Sequence, residues 1–325
     1  MAGLYVMKVK PILKQKIWGG GKLNELPGIK GSDIGEAWFF ADQPENNSII
    51  SNGRLKGSFL RDVMKKHATA MLGRKLAVKY RGIFPILVKF MYASDKLSVQ
   101  VHPDDSTAKQ FHAGTGKTEM WYIMSSEADS YVLMGFKDKI SRKQIREKIK
   151  KNTLQHAMKK YRTKPGEVYY IPAGTLHALG PGNMLLEIQQ NSDITFRLYD
   201  WGRINLETNR QLHIEEGLDV LKNLKKAGKI RLKNKQLNEG VMKSKMISNE
   251  YFECIRLAAE KKASYECADK NPCIIAAIKG KGNIKTEKWK KTSFKKGEIM
   301  FVPYGIRNYK IELHSGAEVI AAEIM

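Results

Sequence analysis

The chain has 325 residues, of which 42% are hydrophobic and 28% are charged, a balance typical of a globular protein with a sizeable core. Its apolar runs are too short to cross a membrane. Lys8, Lys10 and Lys14 interrupt the N-terminus before a signal-peptide core can form, so we expect a cytoplasmic protein without a membrane segment.

The net charge of +24, from 57 Lys and Arg against 33 Asp and Glu, is compatible with nucleic acid, an acidic membrane or an anionic substrate. The basic residues concentrate in three stretches, 142–164, 222–245 and 279–296. Lysine dominates these stretches, and they lack the interleaved aromatic residues of RNA-reading modules. We therefore interpret most of this charge as a solvated surface and consider nucleic acid an unlikely partner.

The cysteines predict neither a disulfide framework nor a zinc ribbon. All three, Cys254, Cys267 and Cys273, lie in the last quarter of the chain and form no C-x-x-C motif. An odd number in a cytoplasmic chain indicates free thiols.

The first 55 residues consist of short runs punctuated by glycine, with Asn52-Gly53 as a hairpin signal, and they predict antiparallel strands. From residue 58 the apolar positions recur at intervals of three and four, which predicts a helix with Ser58 as its N-cap.

Residues 84–92 read as a strand that carries Lys89 in an otherwise apolar run. A charged side chain is seldom fully buried without a partner. Lys89 either reaches the surface or faces a polar pocket, and the sequence leaves both open.

Residues 97–105 alternate with a period of two, so Ser98, Gln100 and His102 share one face of a strand. Gln100 and His102, at positions i and i+2, can both bind a metal and would together form half of a metal site. Taken alone, His102 is equally compatible with a partly buried histidine beside a proline turn.

After the proline, the pair Asp104-Asp105 is suited to capping a short helix that runs through Gln110. A strand over residues 117–124 then places Lys117 and Glu119 on one face. Without further context these two would form an exposed ion pair.

The pair Ser141 and Gln144 matches a capping box that opens a basic helix. Residues 165–177 predict a strand, a tight Pro-Ala-Gly turn and then His177, with further strands over 185–189 and 194–199. We predict a helix over 208–224, a lysine-rich linker over 225–235, and short strands from 241 to the end.

The stretch from Glu167 to His177, with the pattern E-x4-P-x-G-x2-H, has an internal repeat from Glu298 to Asn308 at a constant offset of 131 positions, in which Asn308 replaces the final histidine. The pattern resembles the second sequence motif of the cupin superfamily, whose fold is a double-stranded β-helix of jelly-roll type. We therefore predict a mainly β protein with two cupin-type barrels and a few inserted α-helices.

The repeat also predicts how the chain is divided. Residues 1–207 would form a catalytic, metal-binding barrel with helical insertions, and 208–240 a helix and basic linker. Residues 241–325 would form a degenerate barrel without a metal, because Asn308 stands where the first copy has His177.

Three separated motifs, QVHPDD, GKTEMWYIM and PAGTLHALGPGNMLLEIQQNSDITFRLYDWGR, occur in that order. With them the chain resembles the type I phosphomannose isomerases in their short bacterial form, over essentially its whole length. The resemblance implies interconversion of mannose 6-phosphate and fructose 6-phosphate by proton transfer through a cis-enediol. It also implies one zinc ion per chain, held by Gln100, His102, Glu119 and His177.

The resemblance further implies roles for residues around the metal. Arg197 matches the family's essential arginine, and Lys89, Ser98 and Lys117 match positions near the sugar phosphate, with Lys117 also a candidate catalytic residue. Asp193 corresponds to an acidic position implicated in related enzymes. The group that moves the proton stays open between a metal-bound water, Glu119 and Lys117.

Two other functions remain compatible with these residues. Two histidines and a carboxylate also hold iron, so one alternative is another metal-dependent cupin enzyme, an oxygenase or a decarboxylase. Such enzymes usually present H-x-H where this chain has Gln100 and His102. The second alternative is a sugar-binding cupin without catalysis. The expected partner is a small sugar phosphate, and the expected assembly is a monomer or homodimer.

Overall fold

The computed structural model describes residues 4–111, 114–203, 210–222, 224, 226–237, 240–268, 271–286 and 290–325. In this part of the chain, 23 strands form four sheets, accompanied by five α-helices and two short 3-10 helices. The strands are β1 (Met7–Lys8), β2 (Ile12–Gln15), β3 (Ile34–Phe39), β4 (Ile86–Ala93), β5 (Val99–Val101), β6 (Glu119–Ser126), β7 (Tyr131–Phe136), β8 (Met158–Arg162), β9 (Val168–Ile171), β10 (His177–Leu179), β11 (Asn183–Gln190), β12 (Phe196–Tyr199), β13 (Gly228–Ile230), β14 (Lys233–Gln236), β15 (Val241–Ser248), β16 (Phe252–Ala259), β17 (Ala263–Cys267), β18 (Cys273–Lys279), β19 (Lys281–Thr286), β20 (Lys291–Lys295), β21 (Ile299–Val302), β22 (Tyr309–Leu313) and β23 (Ala317–Ile324). The α-helices are α1 (Leu60–Leu72), α2 (Arg74–Lys79), α3 (Asp105–Gln110), α4 (Arg142–Lys150) and α5 (Ile214–Val220).

The four sheets form two barrels, which confirms the predicted mainly β fold with two cupin-type units. The N-terminal barrel combines a seven-stranded sheet, β13-β9-β6-β11-β4-β3-β2, with a five-stranded sheet, β12-β5-β10-β7-β8. The C-terminal barrel combines β1-β21-β18-β23-β16-β15-β14 with the four-stranded sheet β17-β22-β19-β20. In each barrel, apolar side chains from both sheets form a shared cluster between them.

The two barrels correspond strand by strand. Reading the two seven-stranded sheets in the same order pairs β9 with β21, β6 with β18 and β11 with β23, and the remaining strands follow in step. In the smaller sheets β5, β10, β7 and β8 correspond to β17, β22, β19 and β20, so only β12 lacks a counterpart among the described strands. The sequence repeat at 131 positions is therefore one part of a repeat in topology.

The barrels share a core. The largest apolar cluster contains side chains from both seven-stranded sheets and from the buried face of α1. Phe301 of the C-terminal barrel lies with its ring centroid 4.9 Å from that of Phe84 and 5.9 Å from that of Phe40. Because the two units bury apolar surface against each other, their relative position is fixed by packing as well as by the chain connection.

Two of the three predicted helix caps are confirmed. Asp104 accepts a hydrogen bond from the Thr107 amide at the start of α3, and Ser141 forms the expected capping box with Gln144 at the start of α4. The prediction for Ser58 is wrong, because α1 starts after Phe59. The backbone of Ser58 is already bonded to Leu55 and Ile50, one residue too early to cap the helix.

The segment between the barrels differs from the predicted helix and linker. Only Ile214–Val220 is helical, residues 210–213 are not, and 208–209 and 223 lie outside the described residues. The predicted linker carries two short strands, of which β13 pairs with β9 and β14 pairs with β15. At the N-terminus, β1 pairs with β21 of the C-terminal barrel. The domain boundaries stay a prediction, while these pairings show that the chain crosses between the barrels.

None of the helices described is both long enough and apolar enough to span a membrane.

Candidate metal centre

β5 brings three distant parts of the chain together. It lies between β10 and β12, and Gln100 at its centre is directly opposite His177 on one side and Arg197 on the other. This register follows from the alternation in the sequence, which directs Ser98, Gln100 and His102 to one face.

His102, Glu119 and His177 converge inside the N-terminal barrel, where all three are buried. The Nε2 atom of His102 is 3.3 Å from Glu119 Oε1, and that of His177 is 3.6 Å from Glu119 Oε2. One ligand atom from each residue can be chosen so that all lie within 4.8 Å of one another. Among the residues described, this is the one such group of three or more His, Cys, Asp or Glu side chains.

Backbone carbonyls orient both imidazoles. The Nδ1 atom of His102 is 2.8 Å from the Ile194 carbonyl oxygen, and that of His177 is 2.9 Å from the Thr175 carbonyl oxygen. A carbonyl oxygen only accepts, so Nδ1 carries the proton in both rings and the Nε2 lone pairs point toward Glu119. This is the arrangement in which a second hydrogen bond prepares a histidine to bind a metal.

The protonation states also fit a metal centre. Burial, reinforced by the charge of Lys117, lowers the pKa of His102 to about 3, and burial also lowers the pKa of His177. Burial would raise the pKa of Glu119, but the positive charge of Lys117, ahead of the contacts with the two histidines, holds it well below its usual range. Two neutral imidazoles and a carboxylate are ligands that suit a divalent transition metal.

Glu119 supplies the strongest sign that a cation belongs here. Neither carboxylate oxygen has a hydrogen bond of regular geometry from a described residue, although both are fully buried. Oε1 is ion-paired with Lys117 Nζ at 2.8 Å, and this nitrogen is also 3.4 Å from His102 Nε2, whereas Oε2 faces His177 alone. A buried carboxylate oxygen opposite the unprotonated nitrogen of an imidazole is costly, and a divalent ion between the three residues would offset that cost.

Gln100 lies beside this group with its amide nitrogen 3.4 Å from His177 Nε2, while its oxygen accepts a hydrogen bond from Ser98 Oγ at 3.1 Å. A metal binds the oxygen of an amide. A half-turn of the amide would direct Oε1 to the histidines, and Ser98 Oγ would then accept from the amide nitrogen. Gln100 therefore fits as a fourth ligand in that orientation.

Lys89 faces a polar pocket and is not at the surface. Its Nζ is 3.2 Å from Glu187 Oε2 and 3.9 Å from Glu36 Oε2, and all three side chains are buried. The indole nitrogens of Trp121 and Trp38 donate to Glu187 and Glu36, each at 2.6 Å. These two glutamates, absent from the sequence prediction, form a second charged group beside the candidate metal centre.

The pKa of Glu187 is raised to about 7, because burial and the nearby charge of Glu119 outweigh the attraction of Lys89 and Lys117. Glu36 differs, since Lys89 and Lys16 overcome its burial and lower its pKa. The sequence did contain a signal for these residues. Each is the single carboxylate of its strand, and Glu187 is directly opposite Lys89 across the sheet.

Arg197 lies at the side of the cavity, half-buried. Its Nε donates to Ser98 Oγ at 3.3 Å and its Nη1 to the Gln211 carbonyl oxygen at 3.0 Å. Its Nη2 has no hydrogen-bond partner in the part of the chain that the structure describes. Asp193 is exposed at the rim of the same cavity.

One narrow cavity of about 80 Å³ lies next to the three converging residues and is separated from them by Gln100 and Lys117; its lining also includes Lys89, Ser98 and Arg197. Glu36, Glu187, Lys16 and Arg210 also line it. Ligand cavities usually measure roughly 300–1,000 Å³. A ligand of ordinary size therefore requires some of the lining side chains to move.

Comparison with known proteins identifies the family. The model of the catalytic domain of type I phosphomannose isomerase matches residues 6–122. Mannose-6-phosphate isomerase ManA of Bacillus subtilis is 33% identical over 307 residues, which cover 93% of this chain and 94% of that protein. The mannose-6-phosphate isomerase of Streptococcus mutans is 31% identical and covers 95% of each chain. The chain belongs to the type I phosphomannose isomerases.

Solved structures agree with this membership. The crystal structure of the mannose 6-phosphate isomerase from Bacillus subtilis superimposes on this phosphomannose isomerase with a TM-score of 0.86 and 28% sequence identity, over 99% of this chain and all of that one. Within this phosphomannose isomerase, the segment matched by the family model contains Gln100, His102, Lys117 and Glu119. His177 and Arg197 lie beyond it.

Proposed function

We propose that the chain is a metal-dependent aldose–ketose isomerase that interconverts mannose 6-phosphate and fructose 6-phosphate, with one zinc ion per chain. The observation that carries this proposal is the convergence of His102, Glu119 and His177 next to a cavity whose lining includes Gln100, Lys117 and the half-buried Arg197. The relatives from Bacillus subtilis and Streptococcus mutans, matched over nearly their full lengths, bear the name of this activity.

In this proposal Gln100, His102, Glu119 and His177 hold the zinc ion. A set of nitrogen and oxygen ligands suits zinc, which has no redox chemistry and leaves coordination positions open in catalytic sites. When bound, the ion supplies Lewis-acid stabilisation of the negative charge that develops on the sugar oxygens. Lys117, 2.8 Å from Glu119, keeps that carboxylate ionised and ready to bind a cation.

Arg197 acts as a fixed positive charge on the open-chain sugar. Ser98 and the Gln211 carbonyl hold Nε and Nη1, so Nη2 remains to donate to a substrate oxygen. A guanidinium held in place before the reaction stabilises developing negative charge without reorganising.

We propose that the buried residues of the cavity contact the sugar and that the more exposed residues contact the phosphate. Lys89 and Lys117 are buried, which places them better for sugar oxygens near the reacting carbons than for a phosphate dianion. Lys16 and Arg210 line the same cavity and are more exposed, so we propose that they contact the phosphate, with Ser98 as a hydroxyl donor.

Glu187 is the group that we propose for proton transfer between C2 and C1. It lines the cavity beside Gln100 and Lys117, and its burial favours the protonated form, which suits a carboxylate that accepts a proton from the substrate. Its carboxylate would take the proton from C2 of the aldose and return it to C1, while a second proton passes from the oxygen at C2 to the oxygen at C1, so that the cis-enediol becomes the ketose. Trp121 and Lys89 hold the carboxylate in place throughout.

Replacing Glu187 with glutamine should lower kcat by roughly 10²- to 10⁴-fold, because the variant keeps the shape and the Trp121 contact but cannot accept the proton. The metal content should stay at the wild-type level, because Glu187 is not a ligand. The matched variant Glu36→Gln alters a second tryptophan-bonded carboxylate of the same cavity and should lose no more than about tenfold. Equal losses in the two variants would remove Glu187 from the proton-transfer role.

The experiment that tests the function is a coupled assay for fructose 6-phosphate formed from mannose 6-phosphate, and for the reverse reaction. Isomerisation in both directions without dioxygen uptake or carbon dioxide release is the expected result. An oxygenase or decarboxylase would show one of the latter, and a non-catalytic sugar-binding protein would bind mannose 6-phosphate without turnover.

Three further proposals concern the organisation of the protein. We propose a cytoplasmic protein that is a monomer or homodimer. We assign the catalytic barrel to residues 1–207, the helix and basic connection to 208–240, and the degenerate barrel to 241–325. The two short strands that cross between the barrels, β1 and β13, add contacts between these units.

A further inference from the structure

Tyr251 of the C-terminal barrel is bonded to the segment that leads into the candidate metal centre. It lies in the turn between β15 and β16, and its hydroxyl donates to Asp105 Oδ2 at 2.9 Å. Asp105 opens α3, three residues after His102. Burial, and then the charge of Asp105, raise the pKa of Tyr251, so the hydroxyl remains protonated and acts as the donor. The contact joins two residues that are 146 positions apart in the chain.

The turn that carries Tyr251 has a fixed shape. The Asn249 side chain accepts hydrogen bonds from the amides of Tyr251 and Phe252, at 2.8 and 2.9 Å. A side chain that bonds the backbone two residues ahead forms an Asx turn. Phe252 is fully buried in the apolar cluster that the two barrels share. Tyr251 therefore extends from a turn that is anchored in the core.

Asp105 extends this support to residues 116–118. Its second oxygen, Oδ1, accepts hydrogen bonds from the Gly116 amide at 2.7 Å and from Gln190 Nε2 at 2.9 Å. The side-chain oxygen of Gln190 in turn accepts from the Thr118 amide at 2.9 Å. The amides on either side of the intervening lysine are therefore bound to one network.

Lys117 lies between these two bonds. Its own amide donates to the Pro103 carbonyl at 2.9 Å, and both residues are buried. Gly116 packs so closely against the chain before α3 that a Cβ there would lie 2.5 Å from the Asp104 carbonyl carbon. The backbone around Lys117 is thus held on all sides, at the place where its Nζ lies 2.8 Å from Glu119 Oε1.

We propose that Tyr251 is a positioning residue for the isomerase reaction, because through Asp105 it holds the backbone of Lys117 in place. The inference rests on the proposed function, in which Lys117 keeps Glu119 ionised and contacts the sugar. It assigns a part in catalysis to the C-terminal barrel, from which no metal ligand is proposed. A misplacement of about 1 Å that originates far from the reacting atoms can lower a rate by about 100-fold.

The variant Tyr251→Phe tests the inference, because it removes the hydroxyl and keeps the ring. We expect kcat for mannose 6-phosphate to fall about tenfold, whereas KM should change less than about twofold, since the groups proposed for the phosphate lie outside this network. The metal content should stay at the wild-type level, because no proposed ligand is altered. A wild-type kcat in this variant would overturn the positioning role.

Tyr122→Phe is the matched control, because it removes another hydroxyl that bonds a carboxylate across the two barrels. Tyr122 donates to Glu318, which also accepts from Arg256 at 2.8 Å, and its ring belongs to the shared apolar cluster. Both variants should lose similar stability in thermal unfolding, while kcat should fall in Tyr251→Phe alone. Equal losses of kcat in the two variants would leave Tyr251 with a stabilising role and overturn the inference.

Two changes at Asp105 separate the connection from the charge. In Asp105→Asn the amide oxygen can accept from Gly116 and the amide nitrogen can donate to the Tyr251 oxygen, so this variant should keep much of the rate. Asp105→Ala removes both bonds and should lose at least as much kcat as Tyr251→Phe. An equal loss in the asparagine and alanine variants would attribute the effect to charge and overturn positioning.

Hydrogen exchange measures the positioning without reference to the reaction. The amides of residues 116–118 should exchange about tenfold faster in Tyr251→Phe than in the wild type or in Tyr122→Phe. This result is expected even if the chain does not isomerise mannose 6-phosphate, so a failure of the inference is distinguishable from a failure of the proposed function. Unchanged exchange over residues 116–118 in Tyr251→Phe would overturn the inference.

Discussion

Replacing His177 with alanine is expected to abolish both metal binding and isomerisation. The imidazole directs its Nε2 lone pair at Glu119 because its Nδ1–H is held by the Thr175 carbonyl, and alanine supplies no replacement ligand. Lewis-acid assistance is worth several kcal/mol, so kcat/KM should fall by about 10³-fold or more. Metal analysis after dialysis and a coupled isomerase assay on the same sample measure the two effects.

A matched control uses another histidine of the same chain. His156 is exposed beside α4, away from the three converging residues, and His156→Ala should keep both the metal and the rate. A His177→Ala protein that retains a stoichiometric divalent ion would show that His177 is not a ligand.

Replacing Arg197 with alanine is expected to leave metal binding intact and to lower kcat by roughly 10²- to 10³-fold. Loss of one preorganised donor to a developing oxyanion has an effect of this size. The guanidinium contacts Ser98 and the Gln211 carbonyl but none of His102, Glu119 and His177, so the ligand atoms should stay in place. Metal content and steady-state kinetics distinguish this outcome from that of His177→Ala.

One further variant separates charge from geometry at Arg197, and a second serves as a surface control. Arg197→Lys keeps the positive charge but loses the planar fork, so it should recover only part of the rate. Arg142→Ala removes an exposed arginine that pairs with Asp219 at the surface, and it should behave as the wild type. Wild-type kcat in Arg197→Ala would exclude the guanidinium from the reaction.

The sequence contained most of the information needed for the barrel and its candidate centre. Alternation with a period of two put Ser98, Gln100 and His102 on one face, because a strand permits only two faces. The repeated Pro-x-Gly turn predicted the second barrel, whose strands follow the order of the first. What these patterns could not supply was the register between strands, which brings Gln100 opposite both His177 and Arg197.

The sequence prediction missed features that depend on tertiary contacts. Glu187 and Glu36 were overlooked because their importance lies in burial beside Lys89, which only the sheet order reveals. The Lys117–Glu119 pair, which would be exposed on its own, is enclosed by the barrel. At Ser58 a suitable cap residue was present, but its backbone amide and carbonyl bond to Leu55 and Ile50, and the helix begins one residue too late for this side chain to cap it.

The net charge of +24 is distributed in a way that composition alone did not predict. Several of the lysine-rich stretches form edge strands, including β8, β14 and β20, each the outermost strand of its sheet. Charged side chains on an edge strand oppose pairing with a second sheet. Part of the positive charge therefore has a structural explanation that does not involve a partner.

The central claim is that a divalent ion held by Gln100, His102, Glu119 and His177 is required for isomerisation. The most direct test is the isomerase rate of the wild-type chain measured together with its metal content, before chelation, after chelation and after zinc is restored. We expect one ion per chain, a rate that falls in proportion to the metal removed, and recovery on adding zinc. A chain that isomerises mannose 6-phosphate at full rate without a metal would contradict the account.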